Sequence, residues 1–98
     1  EIFGPVLAVS AYDGYAEAIG MANRSRYALT ASVYTKDLAV AHRFARDVEA
    51  GYVWVNDNQT HFPGAPYGGN RDSGLGREED LSELVSYTQI KNVNVRFG

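Results

Sequence analysis

Ninety-eight residues, 45% apolar and 21% charged, make one small folded unit, and a chain of this length buries only roughly 60 to 65% of the surface that its unfolded form exposes. A net charge of −3 without any Lys/Arg cluster offers phosphates no basic stripe, and no apolar run approaches the ~20 residues of a bilayer span, so neither nucleic acid nor a membrane is an expected partner. The absence of cysteine removes disulfides, thiolate metal ligands and a thiol nucleophile together.

The chain opens Glu1-Ile2-Phe3-Gly4-Pro5-Val6, with no initiator methionine and without the cationic and apolar regions of a signal peptide. An internally cut, non-secreted segment is expected, and with it a cytoplasmic location. Pro5 to Ala11 is a continuous apolar run bounded by Gly-Pro and Asp13-Gly14, the pattern of a strand buried on both faces. Asp13 then offers an N-cap, and Tyr15, Ala18, Ile19 and Ala22 recur at helical spacing, predicting a helix that ends near Asn23. Ala28 to Tyr34 reads as a second strand. Thr35 or Asp37 caps a second helix striped by Leu38, Ala41, Phe44, Ala45 and Val48 and stopped by Gly51. Tyr52 to Asn56 is a third strand, with Tyr52 and Trp54 on one face as packing residues. The order predicts an α/β fold: an open parallel βαβαβ sheet with right-handed crossovers.

From Asp57 to Gly76 the sequence has no period and carries Pro63, Pro66 and Gly64, Gly68, Gly69, Gly74 and Gly76. Loops longer than about 12 residues in a small domain are commonly functional, and ligands of open α/β sheets bind beyond the carboxyl ends of strands, so this loop is the candidate site. Its glycines do not make a phosphate loop, because Leu75-Gly76 stands where Lys and Ser/Thr are required. A metal site is not expected either, since His42 and His61 have neither cysteine nor a carboxylate-histidine motif beside them. His61, next to Phe62 and near Tyr67, reads equally well as pocket lining and as ordinary loop surface. Ser73 lies outside any nucleophile elbow and reads as a hydrogen-bonder in a turn. Glu78, Glu79 and Asp80 form the acidic first turn of a short third helix running to Tyr87, matched to the helix dipole. The tail alternates, with Val93, Val95 and Phe97 opposite Asn92, Asn94 and Arg96, and predicts a half-exposed C-terminal strand that pairs with another subunit or domain.

Taken together, "EIFGPV", "YALTASVYTKD", "AGYVWVN", "PYGGNRDSGLGRE" and "YTQIKNV", in this order, resemble the C-terminal part of the aldehyde dehydrogenase superfamily, over essentially the whole chain. The resemblance implies a fragment of the aldehyde dehydrogenase fold, with residues 1–86 in the catalytic domain and 87–98 as an oligomerisation strand, and so a homo-oligomer through 87–97. It implies NAD(P)-dependent oxidation of an aldehyde to a carboxylic acid through a cysteine thioester. The nucleophile and most of the cofactor domain fall outside these residues, so no catalytic residue is assigned here and the 98 residues alone are expected to be inactive. By the same resemblance Glu1 and Phe3 bind the NAD or NADP cofactor at the nicotinamide ribose, and Asp57, Gln59, His61 and Tyr67 line the substrate tunnel. Asn56 matches the family's strand-end asparagine and Gly68-Gly69 its glycine pair, whereas Asn70-Arg71 and Asp80 depart from the common pattern. The alternative is a free-standing small α/β ligand-binding or dimerisation module without catalysis.

Overall fold

The computed structural model describes residues 2–98. Elements run α1 (Gly14–Asn23), β1 (Tyr27–Ala28), β2 (Thr30–Val33), α2 (Leu38–Asp47), β3 (Tyr52–Val55), β4 (Asn70–Arg71) and α3 (Leu81–Ser86). β2 and β3 pair in parallel, Thr30 opposite Tyr52 and Val33 opposite Val55, with α2 as the crossover between them. β1 and β4 pair antiparallel, Tyr27 opposite Arg71. The fold is thus α/β with a parallel centre, as expected.

α2 forms because Asp37 caps it: its Oδ1 accepts the Ala39 and Val40 N–H groups at 2.8 and 3.3 Å. The helix packs on β3 and buries Ala41, and Val48 follows it into the core. The buried stripe is narrower than the predicted one, because Leu38 and Ala45 stay exposed. α2 also stops at Asp47, before Gly51. Gly51 serves a contact across the fold: a Cβ there would overlap the Gly68 carbonyl oxygen, so the start of β3 and the loop touch backbone to backbone. Only glycine permits that approach.

At α1 the Asp13 carboxylate makes no cap hydrogen bond; Glu17 reaches back to accept the Asp13 N–H instead. No α1 residue is fully buried. The helix is tied to α2 by polar contacts: Tyr15 Oη donates to Asp47 Oδ2 at 2.9 Å, Asn23 Nδ2 donates to the Asp47 carbonyl at 2.9 Å, and the Arg43 guanidinium lies 4.0 Å from the centre of the Tyr15 ring. Hydrogen bonds from Arg46 and then from Tyr15 hold the Asp47 carboxyl below the usual carboxylate range.

Three strand expectations are corrected. The second strand breaks at Leu29 into β1 and β2, because Leu29 turns its carbonyl to the Gly51 and Tyr52 N–H groups. Pro5–Ala11 is not a strand and joins no sheet, and its apolar residues face solvent, with Leu7 86% exposed. The tail 88–98 likewise forms no strand, and it is exposed on both faces of its alternation, Phe97 included. Both stretches have strand-like composition, but a strand needs a partner ladder, and among the described residues none reaches them. The two ends lengthen the molecule: the Cα radius of gyration is 18.9 Å, against about 13 Å for a compact domain of this size.

Candidate functional site

The loop after β3 is less irregular than its composition predicts. Asn56, with φ +55°, ends β3 and pairs its side-chain amide with the Thr35 backbone, Nδ2 donating to the Thr35 carbonyl at 2.9 Å and Oδ1 accepting the Thr35 N–H at 2.8 Å. That bidentate pairing extends the β2–β3 ladder by one side chain and fixes where the loop begins. Further on, Tyr67 and Glu78 exchange backbone hydrogen bonds at 2.9 and 2.7 Å, and Ser73 Oγ accepts the Ala28 N–H at 2.7 Å across 45 residues. The serine is a hydrogen-bonder as expected, but to a distant strand. Arg77 donates to the Gly69 carbonyl and to Asn70 Oδ1, both at 2.7 Å, closing the glycine-rich turn.

Within this frame four rings gather. Trp54, only 6% exposed, donates its indole N–H to the Thr60 carbonyl at 2.7 Å and so pins the loop to β3. Tyr52 lies 4.7 Å from Trp54, centroid to centroid, and nearly parallel to His61 at 5.8 Å. His61 in turn lies 4.6 Å from Tyr67. Aromatic pairs at these separations stabilise beyond their buried area, and they leave flat apolar walls on which a planar ligand can pack.

The His61 ring is held by Glu79. Its Nδ1 lies 2.7 and 2.9 Å from the two Glu79 carboxylate oxygens. Glu79 has φ +66°, its N–H donates to Glu83 Oε2 at 2.7 Å, and its carbonyl accepts the Gly64 N–H at 2.8 Å. This corrects the expected acidic helix start. Asp80 caps α3 rather than lying in its first turn: Asp80 Oδ1 accepts the Ser82 and Glu83 N–H groups, which starts the helix at Leu81. The Ser82 hydroxyl first, then those N–H groups, keep the Asp80 carboxyl below its usual range. Glu79 lies outside the helix and is turned to the loop.

Of the residues singled out from sequence, His61 and Tyr67 come together. Asp57 is half-buried on the turn leaving β3, and its carboxylate accepts the Asn58 N–H at 2.7 Å. Gln59, with φ +65°, is exposed on the same turn. Phe3 is 91% exposed on the first segment, and Glu1 lies outside the described residues. Glu79 escaped sequence reasoning because 18 residues separate it from His61 and its own neighbourhood spells a dipole-matched helix start. Tyr52 and Trp54 are visible as a same-face pair, but as packing residues only.

Comparisons with known proteins agree on one lineage. The model of the "Aldehyde dehydrogenase family" matches residues 1–93. The chain is 53% identical over 98 residues to aldehyde dehydrogenase tropH of Talaromyces stipitatus and 45% identical over 95 residues to aldehyde dehydrogenase NAD(P)+ 2 of Saccharomyces cerevisiae. It covers 19% of each, so it spans about a fifth of the length of these curated relatives. Among solved structures, betaine aldehyde dehydrogenase of Staphylococcus aureus in complex with NAD+ superposes with a TM-score of 0.85 at 42% identity, over 89% of this chain and 17% of that one. Indole-3-acetaldehyde dehydrogenase superposes with a TM-score of 0.79 at 46% identity, over 93% and 21%. With the family model matched across almost every residue and the same fold found at more than 40% identity, this chain belongs to the aldehyde dehydrogenase family.

Proposed function

We propose that these residues are the C-terminal segment of an NAD(P)-dependent aldehyde dehydrogenase that oxidises an aldehyde to a carboxylic acid through a cysteine thioester. The observation that carries the reading is the family match over residues 1–93 in a chain without cysteine: the nucleophile has to come from outside these 98 residues. In this reading residues 1–86 complete the catalytic domain, and 87–98 form a strand that adds to a neighbouring subunit of a homo-oligomer. The unpaired backbone and bare apolar side chains of that tail support the assignment. The free-standing module is not favoured, because both unpaired ends need partners that the 98 residues do not supply.

The cofactor contact falls at the first segment. The exposed Phe3 ring fits a packing role beside the nicotinamide ribose, and Glu1 supplies a carboxylate able to accept its hydroxyls. The dinucleotide, when bound, takes up the hydride. The chain's own residues bind and orient: Asp57, Gln59, His61 and Tyr67 line the aldehyde's approach, with Tyr52 and Trp54 holding the wall rigid behind them.

The test compares the full-length protein with the 98-residue chain on a panel of aldehydes with NAD+ and with NADP+. Turnover is expected from the full-length protein and none from the chain alone; the reverse, or a full-length protein inert towards every aldehyde, refutes the proposal. Deleting Asn92 to Gly98 from the full-length protein is expected to lower its native mass. An unchanged oligomer removes the tail assignment alone.

A further inference from the structure

The geometry points to a role for Glu79 that none of the motifs assigns: it is a positioning residue that holds the His61 imidazole in one tautomer, so that the opposite nitrogen, Nε2, recognises a hydroxyl on the aldehyde substrate. The inference rests on the reading of the loop as a substrate wall and goes beyond it by naming the recognised group.

Donor and acceptor chemistry sets the tautomer. An ionised carboxylate only accepts hydrogen bonds, so a ring nitrogen held 2.7 and 2.9 Å from both Glu79 oxygens is the one that carries the proton. In the neutral imidazole this leaves Nε2 as a lone-pair acceptor. The carboxylate is itself fixed by its backbone: the Glu79 N–H is taken by Glu83 Oε2 and the Glu79 carbonyl by the Gly64 N–H, on either side of its own left-handed turn. Its position therefore does not depend on side-chain rotamers alone. The ring is oriented as well, lying against Tyr52 at 5.8 Å with an interplanar angle of 19° and against Tyr67 at 4.6 Å. The His61 side chain still keeps 37% of its surface open. A fixed acceptor between aromatic faces suits a planar aldehyde that carries a hydroxyl donor. A substrate without that hydroxyl leaves Nε2 without its partner, and sites built to hydrogen-bond a group discriminate against the analogue that lacks it.

The test uses the full-length protein with benzaldehyde and the ortho, meta and para hydroxybenzaldehydes. The unaltered protein is expected to show a lower KM for one hydroxylated isomer than for benzaldehyde. Glu79→Leu is expected to raise that isomer's KM about tenfold, the loss of one hydrogen bond to a fixed partner. The benzaldehyde KM and both kcat values should stay within about twofold. Glu79→Gln, whose amide oxygen can still accept the Nδ1–H, restores most of the preference; a merely structural role for the carboxylate predicts no such rescue. His61→Phe abolishes the preference while keeping the aromatic wall. Thermal melting of each variant separates unfolding from lost recognition, and if Glu79→Leu fails to fold, Glu79→Gln and His61→Phe decide between them. The proposal is overturned if the unaltered protein does not prefer a hydroxylated isomer, or if Glu79→Leu changes KM equally for both aldehydes. If His61→Phe and Tyr67→Ala leave every aldehyde's KM unchanged, the substrate-wall reading falls as well. A changed KM in His61→Phe with Glu79→Leu inert overturns only the positioning role.

Discussion

Tyr52–Val55 and Val93–Phe97 are both short, β-branched and aromatic, yet the first is paired in a sheet and half-covered while the second pairs with no strand among the described residues and is exposed. Trp54 is 6% exposed and Phe97 90%. The difference is not in propensity but in partners. β3 finds β2 along its whole length, with α2 laid on it, whereas no strand among the described residues reaches the tail. Strand preference is largely a preference for a packed, pleated surface, and without the surface it selects nothing. The same holds for Pro5–Ala11 at the other end.

Substitutions that attack the packed region should therefore be costly, and those at the ends cheap. Trp54→Ala removes the largest core ring and the Thr60 hydrogen bond, and should lower unfolding stability by about 3–5 kcal/mol in a urea titration. A near-neutral result would mean that the aromatic cluster is not the core. Gly51→Ala forces a methyl against the Gly68 carbonyl and should cost about 1–3 kcal/mol or more, by the same titration. Gly20→Ala, inside α1 with open space around the new Cβ, should instead stabilise by about 1 kcal/mol.

Asp37→Ala strips α2 of its cap and should cost about 1 kcal/mol, with Asp37→Asn close to neutral because asparagine caps as well. Acid should act in the same direction on two other carboxylates. The folded state holds Asp47 and Asp80 below their ordinary values, so the stability they contribute is complete above about pH 4 and lost as pH falls through the lower folded values. The melting temperature should accordingly fall on acidification in that window, and less so in Asp80→Asn. The smallest effect is expected at the tail: Val95→Asp should change the stability of the 98-residue chain by no more than about 0.5 kcal/mol. If the tail pairs between subunits as proposed, the same change in the full-length protein should lower its native mass. A large loss of stability in the chain alone would mean that the tail packs on the rest after all.

Much of the local chemistry was legible in the sequence, although Asp13, read as the cap of α1, leaves that helix uncapped by its side chain. Asp37 caps the helix next to it, and the spacing of Ala41, Phe44 and Val48 marks one helix face. What escaped was action at a distance. Ser73 reads as a turn residue and in fact serves Ala28; Gly51 reads as a helix stop and in fact admits Gly68; Glu79 reads as dipole compensation and in fact holds His61. In each case the local reading was chemically sound, and a contact made across the fold took precedence over it.

The sequence by itself determined the class of the fold, the three helices and the family, because these are written in short-range patterns and in strings long enough to be specific. The tertiary structure alone decided which strands pair, where the loop's backbone approaches β3 and which nitrogen of His61 the Glu79 carboxylate holds. Those outcomes depend on groups tens of residues apart coming into direct contact, and one-dimensional spacing carries no record of that arrival.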